Sequence, residues 1–317
     1  MPVTINQGEI DQYLEQEHID TSILKILAYF DIFQYPLTSD EIRQFAGRNI
    51  GEARLEQSLQ QLLLDRVIFV KNDFFSLHNN PLLAIRRKQG NRRAEKLLPK
   101  AFAIGRFLYG FPFVRAVGIS GSLSKNFADE KADIDFFIIT KANRLWIART
   151  IMHLFKKLTF LTGHQHYFCM NYYIDEEALL IEEQNVFTAA EIATLIPVRG
   201  DKAFHNFFTV NSWSNRFMAT PDHNKKSNTY RSVAPGKKVI EAVFDNSIGN
   251  RIDDWLQKIT TSRWNKKDIK GERNKNGLSM KLITGKHFSR SNPGAFQERV
   301  VALYEKKLTE LKLRSRV

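Results

Sequence analysis

Cysteine is almost missing: Cys169 stands alone in 317 residues. That excludes a disulfide framework and any zinc site built on several thiolates, and it suits a reducing compartment. Long apolar runs are missing too, since no stretch approaches the roughly 18–20 residues that a membrane span needs. The opening Met1-Pro2-Val3-Thr4 has no basic segment followed by an apolar one, so it does not read as a signal peptide. A soluble, cytoplasmic protein with no membrane partner is the expectation. No internal repeat and no low-complexity tract of consequence is present.

Positive charge is scarce where a DNA-binding module would need it. Residues 1–85 hold 6 Lys and Arg against 12 Asp and Glu, although the whole chain carries +13. Residues 86–210 hold 18 against 12, and residues 211–317 hold 23 against 10. The basic excess is therefore regional and concentrated toward the C-terminal third. A hydrophobic fraction of 43% with 24 Phe speaks for a packed core rather than disorder.

Three regions follow from the pattern. In residues 1–85, Ile23, Leu24, Ile26, Leu27, Phe30 and Phe33 recur at helical spacing, and Pro36 ends that helix. Thr38 and Glu41 have capping-box spacing for a second helix, and Leu55, Leu59, Leu62 and Leu63 mark a third. Apolar runs at 67–70 and 74–77 flank Lys71-Asn72-Asp73, which completes the outline of a winged helix-turn-helix. Residues 86–210 begin in a basic helical connector. They continue with strands over 114–119 and 134–140, a helix capped by Asn143, and a hairpin pairing 167–174 with 179–181. A helix opened by the capping-box spacing of Thr188 and Glu191 follows, with Pro197 beyond it. Residues 211–317 read as a basic helical domain, with helices over 237–259 and 295–313 around a Lys/Asn-rich loop at 266–277. The fold class is α+β.

The chemistry-bearing segment lies in the middle region. Asp133 and Asp135 are two apart at the start of an apolar strand, so both side chains leave one face while Phe136 and Ile138 enter a core on the other. Paired carboxylates repel each other, and a bound divalent cation reverses that cost. Gly121-Ser122 follows a buried strand and opens a helical turn. Glycine there lets the backbone approach a phosphate closely, Ser122 adds a hydroxyl donor, and Lys125 lies one turn on.

Strand, Gly-Ser, ten residues, Asp-x-Asp and apolar strand, in that order, resemble the polymerase-β nucleotidyltransferase superfamily. The resemblance covers residues 114–140 by motif and 141–200 by architecture. The wider arrangement resembles bacterial nucleotidyltransferase-domain proteins with an N-terminal winged helix. It implies a nucleotidyltransferase core, a small mixed sheet with flanking helices, that moves a nucleoside monophosphate from an NTP to a hydroxyl acceptor and releases pyrophosphate. Asp133 and Asp135 would hold Mg²⁺ in a two-metal site, with Mn²⁺ as a substitute, while Gly121, Ser122 and Lys125 would bind the donor, ATP foremost. The acceptor is open between protein, RNA and a small molecule. The family's third carboxylate sits on a neighbouring strand. Here residues 167–174 offer Asn171, with Asp175 at the strand end; alternation would place both on one face, Asn171 at the acid's position and Asp175 too far along. A catalytically weakened NTP-binding regulator, or an interaction protein, that works through the winged helix is the alternative.

The winged helix itself carries little of what duplex binding requires. Its third helix has Glu52, Glu56 and Asp65 against Arg54 and Arg66, so DNA binding by this module alone is not expected. His164 and His166 read as loop residues rather than metal ligands. Trp146, Trp213, Trp255 and Trp264 read as packing anchors.

Overall fold

The computed structural model of the chain describes residues 7–47, 50–130, 132–221, 235–273, 277, 279 and 281–314. The N-terminal unit is built from α1 (Gln7–Asp31), α2 (Ser39–Ala46), α3 (Glu52–Leu64) and a hairpin of β1 (Phe69–Lys71) and β2 (Phe74–Ser76). The capping box at α2 forms as its spacing requires. Thr38 Oγ1 accepts from the Glu41 N–H at 3.2 Å, and Glu41 Oε2 accepts from the Thr38 N–H at 2.9 Å. Asn72 and Asp73 both take positive φ, the geometry of the tightest hairpin turns.

Next comes α4 (Pro81–Tyr109), capped by the Asn80 side chain and carrying Pro at its first position. Its Arg87, 2% exposed, anchors the N-terminal unit. The guanidinium donates to Glu41 Oε1 at 2.6 Å, to Glu41 Oε2 at 3.0 Å and to the Pro36 carbonyl at 2.6 Å, and it lies 3.8 Å from the Tyr35 ring centroid.

The rest of the chain winds around one sheet. Its elements are β3 (Val114–Ser120), α5 (Gly121–Ser124), β4 (Asp135–Thr140), α6 (Leu145–Thr159), β5 (Cys169–Asp175), α7 (Val186–Thr194), β6 (Ile196–Arg199), α8 (Asp201–Val210), α9 (Pro235–Phe244), α10 (Ser247–Ile269), β7 (Leu282–Thr284), β8 (Phe288–Ser291) and α11 (Phe296–Arg314). The strand order is β6-β3-β4-β5-β8-β7, with β4 and β5 parallel and the other neighbours antiparallel. Val117, Ile119, Phe136, Ile138 and Tyr173 face a core shared with α4 and α6, while Ala116, Phe137, Ile139 and Ile174 face α7 and α8. This is a mixed α+β fold with helices on both sheet faces. The N-terminal unit is not a free appendage. Ile23, Phe30 and Leu37 share a core with Val186 and Ala190 of α7 and Tyr304 of α11, and Lys307 pairs with Asp31 at 2.5 Å.

Several local expectations are corrected. Residues 179–181 form no strand against β5. Asn211, fully buried, takes up their backbone instead, accepting from the Ile181 N–H and donating to the Leu179 carbonyl, and β8 from the C-terminal region covers the β5 edge. The basic C-terminal region is thus helical only in part, since it supplies β7 and β8 to the sheet. Its long helix is broken at Asp245-Asn246, where Asn246 caps α10. Asn143 does not cap α6. It takes a positive φ, and the Ile147 N–H is satisfied by Asp253 of α10 at 2.8 Å. Asn185, not Thr188, caps α7 by accepting from the Thr188 N–H. Pro197 does follow α7, and it lies within β6. Trp146 is fully buried, whereas Trp255 is 60% exposed and is no buried anchor. Of the loop expected at 266–277, α10 occupies the part up to Ile269, while residues 274–276 lie outside the described residues, as do Met1 to Thr4. No described helix is long and apolar enough to cross a membrane.

Candidate active site

The β3–α5 turn and the start of β4 meet because Ser120 and Asp135 are register partners in the antiparallel ladder. The chain leaves β3 at Gly121, whose φ of +70° only glycine adopts without cost. A Cβ there would sit 2.5 Å from Asp135 Oδ2, so the turn and the carboxylate are packed against each other. Both open into a cavity of about 560 Å³ on the α7/α8 side of the sheet. Ser120, Gly121, Ser122, Lys125, Asp135, Asn171 and Glu191 line its polar end. Phe30, Phe33 and Tyr35 from the N-terminal unit, Phe187 of α7 and Phe296 of α11 line an aromatic wall, with Arg86 and Arg290 between.

Asn171 reaches Asp135 through an irregularity. Phe136 pairs with Met170 but Phe137 pairs with Tyr172, so one extra residue, Asn171, bulges out of the parallel ladder. Its Nδ2 donates to Asp135 Oδ1 at 2.5 Å. The bulge breaks the alternation expected along β5. Asn171 and Tyr172 both line the cavity, while Tyr173 turns into the opposite core. Asp175, the other position considered for a third carboxylate, lies at the far end of β5 opposite Thr140. It is fully buried and accepts from the Asn143 and Glu177 N–H groups beside His287 Nδ1. It is a structural anchor for the start of α6.

The electrostatics are those of crowded carboxylates. Burial, and then the charges of Asp133 and Glu191, push the Asp135 carboxyl up to about 7, against partial relief from Lys156 and Lys125. Asp133 lies half-buried just before β4 and outside the cavity lining, though its charge is felt at Asp135. Lys125 lines the cavity but is engaged: its Nζ donates to Glu191 Oε1 at 2.7 Å and to the Gly121 carbonyl at 3.1 Å. Comparisons with family models, curated proteins and solved structures find no match.

Toward a hard divalent cation the fit is partial, because Asp135 faces the cavity while Asp133, two residues earlier, lies outside its lining. Asp133 and Asp135 offer oxygen ligands, and a cation would reverse the repulsion that raises the Asp135 carboxyl. Mg²⁺ commonly takes one or two carboxylates and completes its shell with ligand phosphates. Among the described residues, no group of three or more His, Cys, Asp or Glu side chains is gathered to hold a metal.

The pattern missed Glu191, Tyr172 and Arg290. The spacing of Glu191 from Thr188 points to a helix cap, which Asn185 provides instead. The available signal was a lone carboxylate on the face of α7 that also presents Phe187, Thr188 and Ile192. Arg290 enters from β8, which no local pattern links to the site. It is held by Glu183 and by Gln297 at 2.9 Å.

Proposed function

We propose that the chain is a nucleotidyltransferase that binds an NTP, ATP foremost, with Mg²⁺, and passes the nucleoside monophosphate to a hydroxyl acceptor. The observation that carries this reading is the packing of the Gly121 turn on Asp135 at the polar floor of the cavity. Close backbone beside a carboxylate suits a metal–polyphosphate ligand, which needs unobstructed approach and a hard-cation anchor. Gly121 and Ser122 receive the triphosphate, and Asp133 and Asp135 hold the cation. When bound, that cation neutralises phosphate charge. The aromatic wall takes the less polar part of the ligand. Residues 7–76 form a winged helix-turn-helix that closes the cavity, consistent with its negative charge and its lack of a basic DNA-binding face. A cytoplasmic location belongs to this reading.

Calorimetry with the four NTPs, with and without Mg²⁺, tests it. Wild type should bind in a Mg²⁺-dependent way, and Asp133→Asn should weaken that binding strongly while the fold persists. Equal binding by the two proteins would sink the metal assignment. Incubation with α-labelled NTPs and cell lysate then identifies an acceptor, whether protein, RNA or small molecule. The weakened-regulator reading is favoured by one observation, an uncharged amide at Asn171 on Asp135. It requires NTP binding with no pyrophosphate released to any acceptor. Asn171→Asp should leave affinity within a few-fold and raise pyrophosphate release.

A further inference from the structure

Glu191 has no part in capping α7; it lines the cavity, and its carboxylate accepts from Lys125 Nζ. Its partner Lys125 has a side chain only 12% exposed, and Glu191's is 31% exposed, so the pair is partly sheltered from solvent. The two elements are braced a second time by Ser124 Oγ and Thr194 Oγ1 at 3.4 Å. Lys125 is the cation at the Gly121 turn, and its other hydrogen bond goes to that turn's own carbonyl. The remaining cavity cations are also engaged. Arg86 donates to the Phe33 and Gln34 carbonyls, and Arg290 is held by Glu183 and Gln297. An anionic ligand at the turn therefore meets a cation already spoken for.

We propose that the Lys125–Glu191 pair is a latch on the phosphate end of the cavity, opened when a polyphosphate replaces Glu191 as the partner of Lys125. Glu191 is a specificity-determining residue in this scheme. A ligand must offer Lys125 a better set of oxygens than a carboxylate 2.7 Å away, which a polyphosphate does and an uncharged nucleoside cannot. Opening also returns a free carboxylate to the cavity that holds Asp135, where Asn171 supplies no charge. The inference rests on the proposed nucleotide site and names the residue that controls access to it.

A double-mutant cycle on the full chain tests it, using inorganic tripolyphosphate and Mg²⁺-ATP as probes in calorimetry. Glu191→Gln should tighten binding of both on the order of ten-fold, because the competing charge-assisted hydrogen bond is weakened. In the Lys125→Met background the same change should have no effect, since the latch is already gone. Equal tightening in both backgrounds would show plain charge repulsion and overturn the latch, as would no tightening in either. Thermal melts establish that all four proteins are folded. If no folded variant binds either probe, the nucleotide reading fails with the latch. If wild type binds ATP and the cycle shows no coupling, only the latch fails.

Discussion

Gly121→Ala separates backbone strain from the packing that defines the site, because Gly163 supplies a matched control. Both glycines have φ of +70°, but a Cβ at Gly163 meets nothing within 4 Å, whereas one at Gly121 lands 2.5 Å from Asp135 Oδ2 and 3.2 Å from its Cβ and Cγ. The left-handed backbone alone costs a non-glycine residue roughly 1–2 kcal/mol, and both variants carry that. At Gly121 the carboxylate must also swing aside and loosen its hydrogen bond from Asn171. That bond is charge-assisted but exposed, so about 1 kcal/mol is a fair value for it. Gly163→Ala should then lose about 1–2 kcal/mol in urea unfolding and keep nucleotide binding, while Gly121→Ala loses about 2–3 kcal/mol and most of its Mg²⁺-dependent nucleotide affinity. Equal destabilisation together with unchanged nucleotide binding in Gly121→Ala would refute the claim that the turn and Asp135 form one site.

Two further outcomes follow from buried charges. Burial pushes Asp253 up to about 7 despite its hydrogen bonds from the Ile147 and Trp146 N–H groups. The folded state thus holds a proton that the unfolded state releases near pH 4. Asp253 should make stability fall as pH rises from about 4 to 7, by up to about 4 kcal/mol, and melts of Asp253→Asn should show a shallower slope by that share, with the contribution of Asp135 remaining. Arg87→Met leaves Glu41 and the Pro36 carbonyl without their buried partner, so chemical denaturation should show a loss of about 3–5 kcal/mol. A loss below 1 kcal/mol would mean that α4 does not anchor the N-terminal unit through this residue.

What was legible in the sequence was local. The α2 capping box, the hairpin turn at Asn72-Asp73, and the approach of Gly121 to Asp135 each depend on residues close in the chain or on one ladder. What escaped detection depends on distant segments. The true cover of the β5 edge comes from β8, more than a hundred residues later, and its apolar content is too small to announce a central strand. The cap of α6 comes from Asp253 on another helix. The bulge at Asn171 shifts the alternation by one residue, which no period-two pattern reveals. Glu191 followed a local rule in appearance, and Asn185 satisfied that rule first.

The late arrival of β8 also has a consequence for synthesis. When the last residue of β5 has just been added, the partner strand that ends at Ser291 is 116 residues from being finished. At about 5–20 residues per second that is an interval of roughly 6 to 23 seconds. Throughout it the outer edge of β5, next to Asn171 and Tyr172, presents unpaired backbone groups, and the cavity lacks Arg290 and Phe296. An exposed strand edge invites pairing with other chains. Nascent copies stalled between residues 175 and 288 should be the form most in need of a chaperone, and the cavity cannot be complete before nearly the whole chain has been translated.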